Sequence, residues 1–138
     1  MTVYLDSSVL LRVVLRQAGA LKEWKKIDRA VSSALVEVES LRTLDRLRLA
    51  EGLPDGEIAV RREAVFRLLE AVEVVAPDRT VLERASQPLP TSLGTLDAIH
   101  LATALLWREA SGVDVVMATH DDALATAARA TGLRVVGS

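Results

Sequence analysis

Val113-Asp-Val-Val-Met-Ala118, then Asp121-Asp-Ala-Leu-Ala-Thr-Ala-Ala-Arg-Ala-Thr131, then Leu133-Arg-Val-Val136 read in order as strand, helix and strand. The two outer segments are short, nearly unbroken apolar runs, the pattern of strands buried on both faces. The middle segment opens on aspartates that can cap a helix and continues in good helix formers. Strand, helix, strand is the repeating unit of a parallel sheet covered by helices.

The same alternation runs through the rest of the chain. Thr2 to Leu5 is β-prone and stops at Asp6-Ser7-Ser8, where Ser7 or Ser8 is placed to cap a helix carrying Val9, Leu10, Val13 and Val14. A basic, looser segment with Lys22, Trp24, Lys25 and Lys26 follows. Ala30 to Ser32 reads as a second short strand, Ser33 to Ala50 as a helix ended by Gly52 and Pro54, and Asp55 to Glu70 as another helix. Val72 to Val75, closed by Pro77, is a third strand, and Asp78 caps a helix with Val81, Leu82 and Ala85. Gln87 to Gly94 holds two prolines and a glycine and is a loop. Thr95 then opens a strongly periodic helix with Leu96, Ile99, Leu101, Ala102, Leu105 and Leu106 on one broad face. The expected architecture is α/β: one domain over residues 1–138, with a central parallel sheet of four to five strands and helices on both faces.

Half of the 138 residues are apolar, with 22 Leu, 20 Ala and 18 Val against four aromatics, so the core is aliphatic. Disorder and collagen-like repeats are excluded by that composition. Cysteine is absent, which excludes disulfide frameworks, thiolate zinc sites and cysteine nucleophiles. A reducing cytoplasm is the expected setting. Seventeen basic against 19 acidic residues give a formal net charge of -2, so bulk charge does not mark a basic nucleic-acid binder. Charges interrupt the apolar runs, as Arg12 does between Val9 and Leu15, and none approaches the ~20 residues of a spanning helix. The stretch Met1 to Asp6 lacks a basic leader region, so a cytoplasmic protein with no membrane association is expected.

In open parallel sheets, active sites lie outside the carboxyl ends of the strands. Asp6 directly follows the first strand, and Asp121 follows Ala118 by a few residues. Asp97 sits in the first turn of its helix, and Glu39 about two turns into the helix after the second strand. Carboxylates gathered at one edge repel, and some take up protons unless a cation compensates. Mg²⁺ and Mn²⁺ are the natural compensators, being hard ions that prefer carboxylate and water oxygens. An ion held this way can bridge to a phosphate and lower the pKa of a water, which points to phosphodiester or phosphoryl-transfer chemistry. Each acid also has a structural alternative. Asp6 can simply end a strand, Asp97 can complement a helix dipole, Glu39 can pair with Arg42, and Asp121 or Asp122 can cap the last helix. Joint placement at one edge is what favours the functional reading.

These residues also stand in the order of a known family. Tyr4-Leu5-Asp6-Ser7-Ser8-Val9-Leu10, Ser33 followed six residues later by Glu39, Leu96-Asp97-Ala98-Ile99-His100-Leu101-Ala102 and Thr119-His120-Asp121 together span essentially the whole chain. The sequence resembles PIN-domain ribonucleases and, among them, the VapC-type toxins of bacterial toxin–antitoxin pairs. The resemblance implies Asp6, Glu39, Asp97 and Asp121 as the catalytic and metal-binding acids. It also implies Mg²⁺ or Mn²⁺ dependence, hydrolysis of RNA by a metal-activated water, a homodimer and a cognate antitoxin. The Thr-x-Asp spacing favours Asp121 over Asp122 as the fourth acid and leaves Asp122 for the helix cap. Ser7, Thr119 and Asp122 are candidates to orient the ligands or a water.

His100 and His120 invite a metal or base role, but a core or rim hydrogen bond is the plainer reading of His100. Trp24 and Trp107 could stack on bases, with interface packing as the alternative. Arg12, Arg16, Lys22, Lys25 and Lys26 are candidates for phosphate contacts. Two other functions compete with the nuclease. One is a receiver-like phosphoacceptor domain, for which the later strands end without the expected Lys. The other is a PIN-like fold that binds RNA or protein without cleaving, which retention of all four acids disfavours.

Overall fold

Val3, Tyr4 and Leu5 are fully buried, which requires cover on both faces, and β1 (Thr2–Leu5) is the middle strand of the sheet. The computed structural model describes all residues from Met1 to Ser138. The elements that follow β1 are α1 (Ser7–Val14), β2 (Arg29–Ser33), α2 (Leu35–Glu51), α3 (Asp55–Glu70), β3 (Val72–Val75) and α4 (Arg79–Ala85). They are completed by α5 (Thr95–Ser111), β4 (Val116–Ala118), α6 (Asp122–Ala130) and β5 (Arg134–Val136).

The five strands are all parallel in the order β3-β2-β1-β4-β5, at the upper end of the expected number. The receiver-like alternative carries the order 2-1-3-4-5 and does not describe this sheet. Register places Tyr4 opposite Val31 and Met117, and Leu5 opposite Ala118. Alternation then divides the core. Tyr4, Val31 and Met117 face α5 and α6 through Leu101, Leu105, Leu124 and Ala128. Val3, Leu5, Val116 and Ala118 face Val9 of α1 and Leu21 of the segment beyond it. Leu10, Val14, Val36, Leu44 and Val65 join α1, α2 and α3 in a third apolar cluster. Burying a leucine such as Leu101 contributes about 1.5–3 kcal/mol.

Several boundaries differ from the sequence reading. Ser33 is the last residue of β2, paired with Val75, rather than the first of the next helix. Its hydroxyl accepts from the Leu35 N–H (3.1 Å), so it still helps to start α2. Val113 to Val115 lie outside β4, because Val116 already faces Val3 and β1 is nearly exhausted in that direction. Leu133 precedes β5. Neither Ser7 nor Ser8 caps α1: the chain turns straight out of β1, so Asp6 holds the cap position and its carbonyl accepts from the Val9 N–H (3.1 Å). Asp78 caps α4 as expected, with Oδ1 accepting from the Val81 N–H (3.0 Å). Gly52 ends α2 in the left-handed conformation (φ 63°) that glycine adopts without cost to a side chain.

Candidate active site

The order of the sheet reverses at β1, with β2 on one side and β4 on the other, and the crevice at such a reversal is the usual ligand site. Asp6 leaves β1 there, its N–H bonded to the Ala118 carbonyl at the end of β4 (3.0 Å). Its carboxylate is buried and accepts two hydroxyl hydrogen bonds on Oδ2, from Ser8 Oγ (2.7 Å) and Thr119 Oγ1 (2.9 Å). Each hydroxyl is anchored in turn by a backbone N–H, of His120 on Ser8 Oγ (2.9 Å) and of Asp121 on Thr119 Oγ1 (3.0 Å). One carboxylate edge is thereby fixed, while Oδ1 takes no hydrogen bond from the protein. Gly137, at φ +92°, lets the chain after β5 press against this turn, since a Cβ there would stand 2.7 Å from the Thr119 carbonyl oxygen.

Thr119 therefore braces Asp6, and the serine that joins it is Ser8. Ser7 forms no side-chain hydrogen bond and lines a neighbouring groove instead. Asp121, not Asp122, caps α6, its Oδ1 accepting from the Leu124 N–H (2.8 Å). Asp122 lies in the first turn of α6 and accepts from Ser138 Oγ (2.8 Å). Cap and candidate ligand, set as alternatives in the sequence, thus fall on the same aspartate. Its second oxygen remains free.

Glu39 does not pair with Arg42, which leans toward Asp45 (3.7 Å). It bonds instead to His100 Nε2, and the other ring nitrogen, Nδ1, stands 2.6 Å from the Tyr4 hydroxyl. That hydroxyl also accepts from the Ser33 N–H (3.1 Å). Burial raises the Tyr4 phenol far above its ordinary range, so it keeps its proton. Burial of the His100 imidazole opposes its charge, yet the Glu39 hydrogen bond and the carboxylates of Glu39, Asp6 and Asp97 outweigh it and raise its pKa. Nε2 carries a proton in either state and donates it to Glu39. Nothing in the sequence gives Tyr4 or Ser8 a site role, and His100 reads there most plainly as a core or rim hydrogen bond.

Asp97 is half-buried in the first turn of α5 and accepts no hydrogen bond from a protein donor. Burial, then the charges of Asp6 and Asp121, push its carboxyl up to about 6, with Glu39 adding to the rise and His100 opposing it. Asp97 thus feels the charges of the other three acids. No three of the chain's carboxylates and imidazoles close into a compact ion-binding group. The donors that remain free, Asp6 Oδ1 and the spare oxygens of Glu39, Asp97 and Asp121, are all hard carboxylate oxygens. That set fits Mg²⁺ or Mn²⁺, and Mg²⁺ in particular keeps several waters and takes only one or two carboxylates directly. The basic segment lies elsewhere: the Lys26 carbonyl bonds the Met1 amino group, so Lys25 and Lys26 sit at the opposite edge of the sheet. Arg12 is engaged by the Gly19 carbonyl (3.1 Å). Trp107 donates to Glu73 (3.2 Å) beneath the Arg29 guanidinium, and Trp24 packs against the core.

This fold, with acids at the reversal of a parallel sheet, defines a class. Residues 3–130 match the PIN domain, and the chain belongs to the PIN-domain family, among its VapC-type members. It is 37% identical to Ribonuclease VapC46 of Mycobacterium tuberculosis, an alignment covering 97% of this chain and 95% of that protein. It is 35% identical to Ribonuclease VapC35 of the same species, with the same coverage. Among solved structures, a toxin–antitoxin complex from Klebsiella pneumoniae shares the fold at a TM-score of 0.68 and 16% identity, covering 97% of this chain and 95% of that one. PAE2754 from Pyrobaculum aerophilum shares it at 0.58 and 18% identity, covering 97% and 81%. No helix is long and apolar enough to cross a membrane.

Proposed function

We propose that the chain is a Mg²⁺- or Mn²⁺-dependent endoribonuclease acting as the toxin of a toxin–antitoxin pair. The observation that carries this reading is that Asp97, half-buried in the first turn of α5, feels the charges of Asp6, Asp121 and Glu39, which add to burial in pushing its carboxyl up to about 6. Its relatedness to proteins named as VapC ribonucleases supports RNA as the substrate. A divalent ion held by these acids would supply charge compensation for the phosphate and a more acidic water.

The chain's own residues do the rest. Ser8 and Thr119 hold Asp6 by Oδ2 and leave Oδ1 without a protein partner, and Tyr4, through His100, holds Glu39. The Leu124 N–H holds Asp121. Preset carboxylate oxygens of this kind orient a water for attack at phosphorus without reorganising during the step. A cognate antitoxin and a second copy of the chain are the proposed protein partners, and the cytoplasm the proposed setting. The test is incubation of the purified chain with mixed cellular RNA. Discrete cleavage that stops in EDTA and returns with added Mg²⁺ or Mn²⁺ is expected; intact RNA in both ions would contradict the reading.

A further inference from the structure

A groove of about 380 Å³ opens directly beside Glu39, between the start of α1, the face of α2 and the start of α5. Glu39, Arg42, Thr43 and Arg46 follow one another along it at the i, i+3, i+4 and i+7 spacing that places residues on one helix face. Both guanidiniums are exposed. Elsewhere on the helices Arg48, Arg61, Arg67, Arg79 and Arg84 are each paired with a carboxylate at 2.5–3.1 Å, while Arg12, Arg62, Arg108 and Arg129 have no carboxylate partner and lie outside this groove. Arg42 has only a distant one at 3.7 Å, and Arg46 has none, being steadied instead by the Thr43 hydroxyl (3.0 Å). Val38 and Leu96, 60% and 51% exposed, form apolar walls on either side. A chain of net charge -2 thus places Arg46, which has no carboxylate partner, and Arg42, held only loosely by Asp45, beside Glu39, where a polyanion would otherwise be repelled.

We propose that this groove binds the RNA backbone beside the cleaved bond, with Arg42 and Arg46 each contacting a phosphate and Val38 and Leu96 packing on ribose or base. The inference rests on the ribonuclease reading and extends it to substrate positioning. Guanidiniums match phosphate geometry through paired N–H donors, and such contacts fix a strand's position without reading its sequence.

The test is fluorescence anisotropy with a short fluorescein-labelled single-stranded RNA of mixed sequence, titrated in EDTA over a range of salt concentrations. Each phosphate contact contributes about 0.7 to the slope of log affinity against log salt for single strands. The Arg42→Gln/Arg46→Gln variant is expected to bind more weakly with a slope shallower by about 1.4. Arg67→Gln/Arg79→Gln removes the same charge from exposed ion pairs and is expected to leave the slope unchanged. An unchanged slope in the first variant, or an equal loss in both, would overturn the proposal. So would loss of polyglutamate binding in the first variant with RNA binding intact, which marks the groove as a site for an acidic protein segment. Melting midpoints matching that of the unmodified chain exclude misfolding as the cause. Because no turnover occurs in EDTA, a chain that shows the slope change yet cleaves no RNA with Mg²⁺ or Mn²⁺ would overturn the nuclease reading alone.

Discussion

The Tyr4 hydroxyl and His100 Nδ1 stand 2.6 Å apart across 96 residues of sequence, and this contact aims the far side of the imidazole at Glu39. A residue of the central strand thereby sets the orientation of an acid on α2. Tyr4→Phe removes the hydroxyl and leaves both the Ser33 N–H and His100 Nδ1 without their partner. An unsatisfied buried group costs about 1–3 kcal/mol. A lower melting midpoint together with a reduced kcat for RNA cleavage is expected; unchanged values for both would show that the chain of contacts does not position Glu39.

Ser8 and Ser7 are adjacent but differ in consequence. Ser8→Ala takes a hydroxyl donor from Asp6 and the acceptor from the His120 N–H, at a cost of about 1–3 kcal/mol. Ser7→Ala removes no hydrogen bond and is expected to stay within about 0.5 kcal/mol of the unmodified chain. Urea unfolding of the two variants checks the difference, and equal losses would contradict the assignment.

Asp121 combines a helix cap with a charge on the crevice. Asn caps as well as Asp, so Asp121→Asn is expected to keep stability while weakening metal-dependent cleavage. Asp121→Ala loses the cap as well, at about 0.5–2 kcal/mol. Asp122→Asn is expected to be nearly silent in both assays. Cleavage measured against Mn²⁺ concentration, beside thermal unfolding, separates the three; activity lost in Asp122→Asn and kept in Asp121→Asn would reverse the assignment.

Asp97 gives the ion-free chain a pH dependence of definite sign. Its carboxyl titrates at about 6 when folded and near 4 when unfolded, so the folded state binds more protons between those values. The stabilisation is complete below the unfolded value and is lost as pH rises through about 6. The melting midpoint of the unmodified chain relative to Asp97→Asn is therefore expected to fall across that window in EDTA. Saturating Mn²⁺, which favours the ionised carboxylate, is expected to raise the midpoint more at neutral than at acidic pH. Parallel pH profiles for the two chains in EDTA would contradict a raised Asp97.

The fold was largely legible because a parallel sheet writes its strands as short apolar runs, as at Thr2–Leu5 and Val72–Val75. The places of Asp6 and Asp121 were legible because each stands just beyond a strand end. Which serine braces Asp6 was not, since it depends on how the first turn of α1 directs Ser7 and Ser8. Asp121-Asp122 offers two chemically equal caps, and the cap falls on Asp121, whose N–H is bonded to Thr119 Oγ1. The Tyr4–His100–Glu39 chain joins β1, α5 and α2, and its pairing requires the sheet order that local patterns do not contain.

RNA cleavage by the unmodified chain and by Asp6→Asn, followed as Mn²⁺ is titrated, tests the four-acid site most directly. Asp6 has one carboxylate oxygen held by Ser8 and Thr119 and the other without a protein hydrogen bond. The account expects cleavage by the unmodified chain to rise with Mn²⁺ and to vanish in EDTA. It expects Asp6→Asn to stay folded and inactive at every Mn²⁺ concentration. Cleavage by folded Asp6→Asn at the rate of the unmodified chain would contradict it.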